Sequence, residues 1–176
     1  MEKTPPRFRF QSPILKGLLG LVCLWLMGCE KDDICVDGDT PLLVVQFFDQ
    51  AETETPKAVE RLRVIGLGNG SPVPTFADRS NLDSIALPLR AGEEETTFVL
   101  IRDSRDEEGV DIGNPDTLRL TYETLGSFVS RACGFVANYE NLSGTLQPDT
   151  ANWILNIEVD TTSVQSQEIR HVSIFH

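Results

Sequence analysis

From residue 42 onward, short runs of Val, Ile, Leu, Phe and Thr alternate with clusters of Gly, Pro, Asn and Asp. Runs of this length and make-up, bounded by turn residues, predict strands rather than helices. Eight are expected, over residues 42–48, 59–65, 84–89, 97–102, 117–123, 128–139, 153–159 and 169–175. Several alternate strictly. Arg63 points away from Leu62 and Val64, and Leu118, Leu120 and Tyr122 oppose Arg119 and Thr121. Trp153, Leu155, Ile157 and Val159 are expected on one face, against Asn156 and Glu158. Period-two patterning with one wet face marks antiparallel sheets. No segment carries a sustained 3.6-residue apolar stripe with caps.

The predicted fold is therefore all-β: an antiparallel two-sheet sandwich, Ig-like, of about seven or eight strands. Gly134 interrupts the longest run and marks a bulge or a change of sheet. Residues 66–80, with Pro72 and Pro74, and residues 103–116 are expected to be long loops.

The N-terminal segment breaks this pattern. An apolar run from Gly17 to Met27 follows Lys3, Arg7, Arg9 and Lys16, and ends in Leu26-Met27-Gly28-Cys29. It is too short for a spanning helix, which needs about 20 apolar residues. An uncleaved anchor sits poorly with Pro13 before the run and Glu30-Lys31-Asp32-Asp33 after it. A core helix sits poorly with a run that is apolar all round. A basic start, an apolar middle and a small-residue cut describe a secretory signal. The pattern resembles the bacterial lipoprotein signal, in which Cys29 is acylated and becomes the mature N-terminus. The expected organisation is a signal over 1–28, a lipidated tether over 29–40 and one domain over 41–176. Two or three acyl chains suffice for stable membrane attachment.

Cleavage there would leave 148 of the 176 residues. Fifteen basic side chains less the four in the signal leave 11, and 27 acids less Glu2 leave 26, so the formal charge becomes −15. That charge argues against nucleic acid and against docking on anionic lipid through a basic patch. The lipid itself would be the anchor.

Of four cysteines, Cys23 leaves with the signal and Cys29 takes the lipid. Cys35 and Cys133 remain, an even pair in a compartment where disulfides persist, against the alternative of two separate buried thiols. No Cys-x-x-Cys occurs, and the only histidines are His171 and His176, so neither a redox motif nor a zinc site is indicated. No cofactor is expected.

Other motifs are weaker. Lys31, Asp32 and Asp33, just after the lipid cysteine, resemble the export signal of surface lipoproteins in Bacteroidota; the alternative is an inert charged tether. Gly66-Leu67-Gly68-Asn69-Gly70 lacks the helix a phosphate loop requires. Asp103, Asp106, Glu107, Glu108, Asp111 and Asp116 crowd one segment, but their order is not that of an EF-hand and a solvated loop is preferred to a calcium site. There is no Gly-x-Ser-x-Gly elbow, and each histidine is expected to be a satisfied surface residue. Trp153 and Tyr139 read as core rather than as sugar platforms. Asp83-Ser84-Ile85, Asp116-Thr117-Leu118, Asp149-Thr150-Ala151 and Asp160-Thr161-Thr162 match a Bacteroidota O-glycosylation pattern but also ordinary turn chemistry.

Cys29, Cys35, Pro41-Leu42-Leu43-Val44-Val45-Gln46-Phe47-Phe48, Leu87-Pro88-Leu89, Tyr122 and Phe128-Val129-Ser130-Arg131-Ala132-Cys133-Gly134-Phe135 together carry a resemblance. The chain resembles the DUF6452 family, small lipoproteins of unknown function from flavobacteria and relatives. The resemblance implies an envelope location and pairing of Cys35 with Cys133, and supplies no catalytic or ligand residue. The expected function is a non-enzymatic binding or assembly module at the outer membrane, with an envelope protein as partner. It is expected to be surface-exposed, or alternatively to face the periplasm. The competing class is a small hydrolase using carboxylates on surface glycans.

Overall fold

Alternation of large apolar side chains builds two facing sheets. The structure is a computed structural model that describes Cys35 and residues 38–176. Cys29, Lys31, Asp32 and Asp33 lie outside the described residues. The first sheet contains β1 (Leu43–Phe48), β4 (Ser84–Leu87), β8 (Asn156–Val159) and β9 (Val172–Phe175), in the order β4-β1-β9-β8. The second contains β2 (Val59–Gly66), β3 (Ser80–Leu82), β5 (Glu95–Glu107), β6 (Val110–Ser130) and β7 (Gly134–Gln147), in the order β3-β2-β5-β6-β7.

The inner faces follow the period-two pattern. Leu43, Val45 and Phe47 of β1 face Leu62 and Val64 of β2, Phe98 and Leu100 of β5, and Leu118 and Leu120 of β6 in one fully buried cluster. Trp153 and Tyr139 belong to it, as core residues. The all-β two-sheet sandwich is as the sequence indicates, with nine strands among the described residues rather than seven or eight.

Four expectations are corrected. Pairing is antiparallel except between β1 and β9, which run parallel from Val45↔Val172 to Phe48↔Phe175. Residues 103–116 are not a loop. They form the outer part of the β5–β6 hairpin, closed by the two-residue turn Glu108-Gly109 between Glu107 and Val110. Both turn residues have positive φ, +54° and +83°, the geometry of a type I′ turn that matches strand twist, and glycine supplies the second position without strain. Residues 128–139 are not one strand. Arg131, Ala132 and Cys133 turn the chain between β6 and β7, so that Phe128 pairs with Phe135 and Ser130 with Gly134. Finally, Leu155 does not join the core: β8 begins at Asn156, Ile154 is buried in its place, and Leu155 is 61% exposed. A buried Asp116 holds this segment out of strand register, as described next.

Candidate functional site

The acidic segment resolves into separate roles along a hairpin. Asp106 Oδ1 accepts the Gly109 amide and stabilises the turn. Asp111 accepts the Ser104 hydroxyl at 2.7 Å and Arg79 Nη2 at 3.3 Å, and its other oxygen lies 2.9 Å from Arg63 Nε. Arg63 and Arg79 both also reach Asp78 Oδ2, at 2.9 and 3.1 Å. The 66–80 loop is thereby tied to the β5–β6 hairpin through two arginines and two aspartates around a buried Ser104. Burial works against ionisation of Asp111, but the Ser104 and Arg79 bonds and the nearby guanidinium charges outweigh it, holding its pKa below the ordinary value. The charges of this network neutralise one another.

Asp116 lies inside the fold. Its carboxylate accepts the Ile154 amide at 2.7 Å and Asn152 Nδ2 at 3.0 Å. Burial nevertheless dominates and pushes its pKa up. Its partners are structural, and they place Trp153, whose indole N–H donates to the Leu100 carbonyl. No group of three or more His, Cys, Asp or Glu among the described residues is placed to hold a metal ion.

The histidines are not on the surface as expected. His171 is fully buried and His176 nearly so. β1 and β9 lie side by side in the sheet, and each histidine caps one end of that pair. His171 Nδ1 accepts the Val44 amide at 3.0 Å. His176 packs edge-on against Phe47 and Trp153, and its Nε2 donates to the Lys57 carbonyl at 3.2 Å. Its backbone oxygen accepts from Lys57 Nζ at 2.9 Å, which fastens residue 176 to the segment after β1. Desolvation lowers both imidazole pKa values.

The outer face of the five-stranded sheet carries a groove of about 450 Å³. Thr97 of β5, Thr117 and Arg119 of β6, and Thr145 and Gln147 of β7 line it, with Leu67 at its rim. Within it Arg119 pairs with Glu95, which also accepts the Thr97 hydroxyl. The Arg119 bond, ahead of the opposing desolvation, keeps the Glu95 pKa below its ordinary value, so this carboxylate is an anion rather than a proton donor. Thr117 of the Asp-Thr-Leu motif lies in this groove, whereas Ser84 is exposed on the edge strand β4.

At the far end of β6 and β7 stands a disulfide. Cys35 bonds Cys133, with Cα atoms 4.8 Å apart, and this places Cys35 at the hairpin turn. Gly38 lies against it: a Cβ there would sit 2.9 Å from Cys133 Cβ and closer still to Cys35 Sγ. Thr40 then runs beside β7, its hydroxyl accepting the Ala137 amide. The same tip exposes large apolar side chains. Phe128 and Phe135 stack edge-to-face at 5.3 Å while 59% and 72% exposed, and Leu125 and Val129 are exposed as well. The sequence does not signal this cluster, because Phe128, Val129 and Phe135 read as part of one strand over 128–139.

Neither a curated protein nor a solved structure matches the chain. Residues 61–176, well over half of it, match a family described as a family of unknown function, DUF6452. The match takes in β5, β6 and β7, with the groove they form and the hairpin tip. The chain belongs to the DUF6452 family.

Proposed function

We propose that the mature domain is a non-enzymatic binding or assembly module, held at the outer membrane by acyl chains on Cys29 and exposed at the cell surface. The groove across β5, β6 and β7 carries the binding part of this reading. It offers hydroxyls, an amide and a fixed Arg119–Glu95 pair on a rigid sheet, the kind of surface that recognises a polar partner. Carboxylate chemistry on glycans needs two carboxyl groups about 5–10 Å apart with one of them protonated. Among the described residues Glu95, paired with Arg119, is the carboxylate that lines the groove, and Glu93 lines the cavity that adjoins it.

The anchor and the routing rest on the sequence. A fatty-acid analogue should label the wild type and not Cys29→Ser; equal labelling of both would end the lipoprotein reading. Replacing Lys31, Asp32 and Asp33 by Ala should protect the protein from protease added to intact cells without changing its amount. A wild type already protected would make it periplasm-facing. For the groove, crosslinking in cells should capture an envelope protein, and Arg119→Ala should weaken the capture without altering thermal stability. Turnover of an ester, peptide or glycan, abolished by changing one carboxylate, would assign the hydrolase instead.

A further inference from the structure

We infer that the β6–β7 tip is a membrane-contacting finger: Phe128, Phe135, Leu125 and Val129 enter the lipid interface beside the tether and set the domain's orientation. The inference rests on the lipoprotein reading for the position of the acyl chains. Three observations carry it.

The first is reach. Five residues separate Cys29 from Cys35, and six steps of at most about 3.5 Å each put the disulfide within about 20 Å of the acylated cysteine. Cys133 closes the hairpin turn, so the tip is the part of the domain that the tether holds nearest the bilayer.

The second is the distribution of apolar side chains. Phe128 and Phe135 are cross-strand partners on one face of the hairpin. By strand alternation Leu125 belongs to the other, and Val129 stands at the irregularity between Phe128 and Ser130. A patch for a protein partner or a second copy would be expected on one face. Apolar residues on both faces of a projecting tip suit insertion end-on, with the paired backbone satisfied within the hairpin.

The third is charge. Residues 124–139 contain one charged side chain, Arg131 in the turn, in a chain whose mature form carries −15. At the opposite end of β6, residues 103–111 hold five acids. Arg131 can extend to the headgroups while the phenyl rings lie deeper. Because the tether itself carries Asp32, Asp33, Asp37 and Asp39, the contact depends on apolar insertion more than on anionic lipid. The groove, nine residues along β6 from Phe128, then lies about 30 Å along the strand from the tip.

The test uses the full-length chain, produced in a bacterium that processes lipoproteins and reconstituted in phosphatidylcholine vesicles with and without brominated acyl chains. Tryptophan is placed at the tip by Phe135→Trp and, independently, Phe128→Trp, and in the groove rim by Leu67→Trp. All three positions are largely exposed, so folding should be retained. Bromolipid, which reports contact at interfacial depth, should quench either tip tryptophan roughly twofold and leave Leu67→Trp at the wild-type level. Flotation of the wild type and of Cys29→Ser reads the anchor separately. A wild type that floats with unquenched tip tryptophans overturns the finger and leaves the anchor standing. A wild type that does not float removes the anchor, and tip tryptophans still unquenched at excess lipid then overturn the finger too. A tip emission that shifts to the blue without vesicles, as protein concentration rises, assigns the patch to a second copy and also overturns the proposal.

Discussion

His171 and Val44 exchange two hydrogen bonds across the start of the β1–β9 pair: the His171 amide donates to the Val44 carbonyl, and the Val44 amide donates to His171 Nδ1, both at 3.0 Å. The imidazole thus acts as one more rung before the parallel ladder begins at Val45↔Val172. An Nδ1 that accepts an amide proton cannot also be protonated. The ring is therefore neutral with its proton on Nε2, an atom that finds no hydrogen-bond partner among the described residues.

This arrangement fixes a pH dependence. Desolvation lowers the pKa of His171, against the pull of the Asp160 charge and of the Ser166 carbonyl, which faces the ring without meeting hydrogen-bond geometry, and desolvation lowers that of His176 too. In the unfolded chain both titrate near 6.5, so below that pH the unfolded state binds more protons. Stability is full above about pH 6.5 and is lost as pH falls toward the folded-state values. Asp49, Glu95 and Asp111, with lowered pKa values, add a further loss in the carboxylate range, and Asp116, with a raised one, acts in the opposite sense. The melting temperature should fall between pH 7 and 5. His171→Asn, which keeps an acceptor for Val44, should flatten part of that fall. A melting temperature constant over this range would refute the account.

The same histidines mark where the sequence stops being legible. β2 and the middle of β6 are readable because one face is buried and the other wetter, as Leu118, Leu120 and Tyr122 against Arg119 and Thr121 show, whereas β1 is readable as a short apolar run with Phe47 and Phe48 both buried. The outer β5–β6 hairpin was not. Beyond Arg102 it carries polar residues on both faces, so alternation vanishes and acids around Gly109 imitate a loop. The β6–β7 turn failed for the reverse reason, since apolar residues on both faces of the tip merge into one run. The parallel β1–β9 pairing brings together residues 127 apart in sequence, and nothing local signals it. The groove was equally hidden, being assembled from the polar residues of strands recognised by their apolar ones.

The disulfide closes a 98-residue separation between Cys35 and Cys133. Constraint of the unfolded chain over such a loop contributes roughly 4–5 kcal/mol, an upper figure. Reduction, or Cys35→Ser with Cys133→Ser, should lower the stability by a few kcal/mol, and non-reducing peptide mapping should recover the linked pair. Gly38→Ala drives a methyl into the two sulfurs. Its cost should appear in the oxidised protein and shrink in the double-serine background; an equal cost in both would show that Gly38 acts through something other than the disulfide.

Asp116→Ala leaves the buried Ile154 amide without its acceptor and releases Asn152. Hydrogen bonds to a charged group are worth about 1.5–3 kcal/mol, and an orphaned buried donor costs a similar amount. A loss of about 2–3 kcal/mol in urea unfolding is expected. Trp153 fluorescence should shift toward that of an exposed indole, because the segment that seats it has lost its fastening. An unchanged midpoint would mean that core packing around Ile154 suffices without the carboxylate.

The Arg63–Asp111 contact tests whether the 66–80 loop is fastened or merely adjacent. Arg63 Nε lies 2.9 Å from Asp111 Oδ2, yet the N–H is not aligned for a hydrogen bond, so the attraction is chiefly between charges. The Arg63 side chain is 15% exposed and that of Asp111 26%, which limits screening by salt. Removing Arg63 alone leaves Asp111 with Arg79 and Ser104 but leaves Asp78 with a single guanidinium. A cycle of Arg63→Ala, Asp111→Ala and both should give a coupling of about 1 kcal/mol, at the upper end for ion pairs that remain partly solvated. Limited proteolysis gives a second reading. Arg63→Ala should speed cleavage within residues 66–80, because Asp78 and Arg79 then hold the loop through Asp111 and Ser104 alone. Coupling near zero with cleavage unchanged would show that the backbone bonds, Val73 to Val64 and Arg79 to Leu62, fix the loop and that the charges only decorate it.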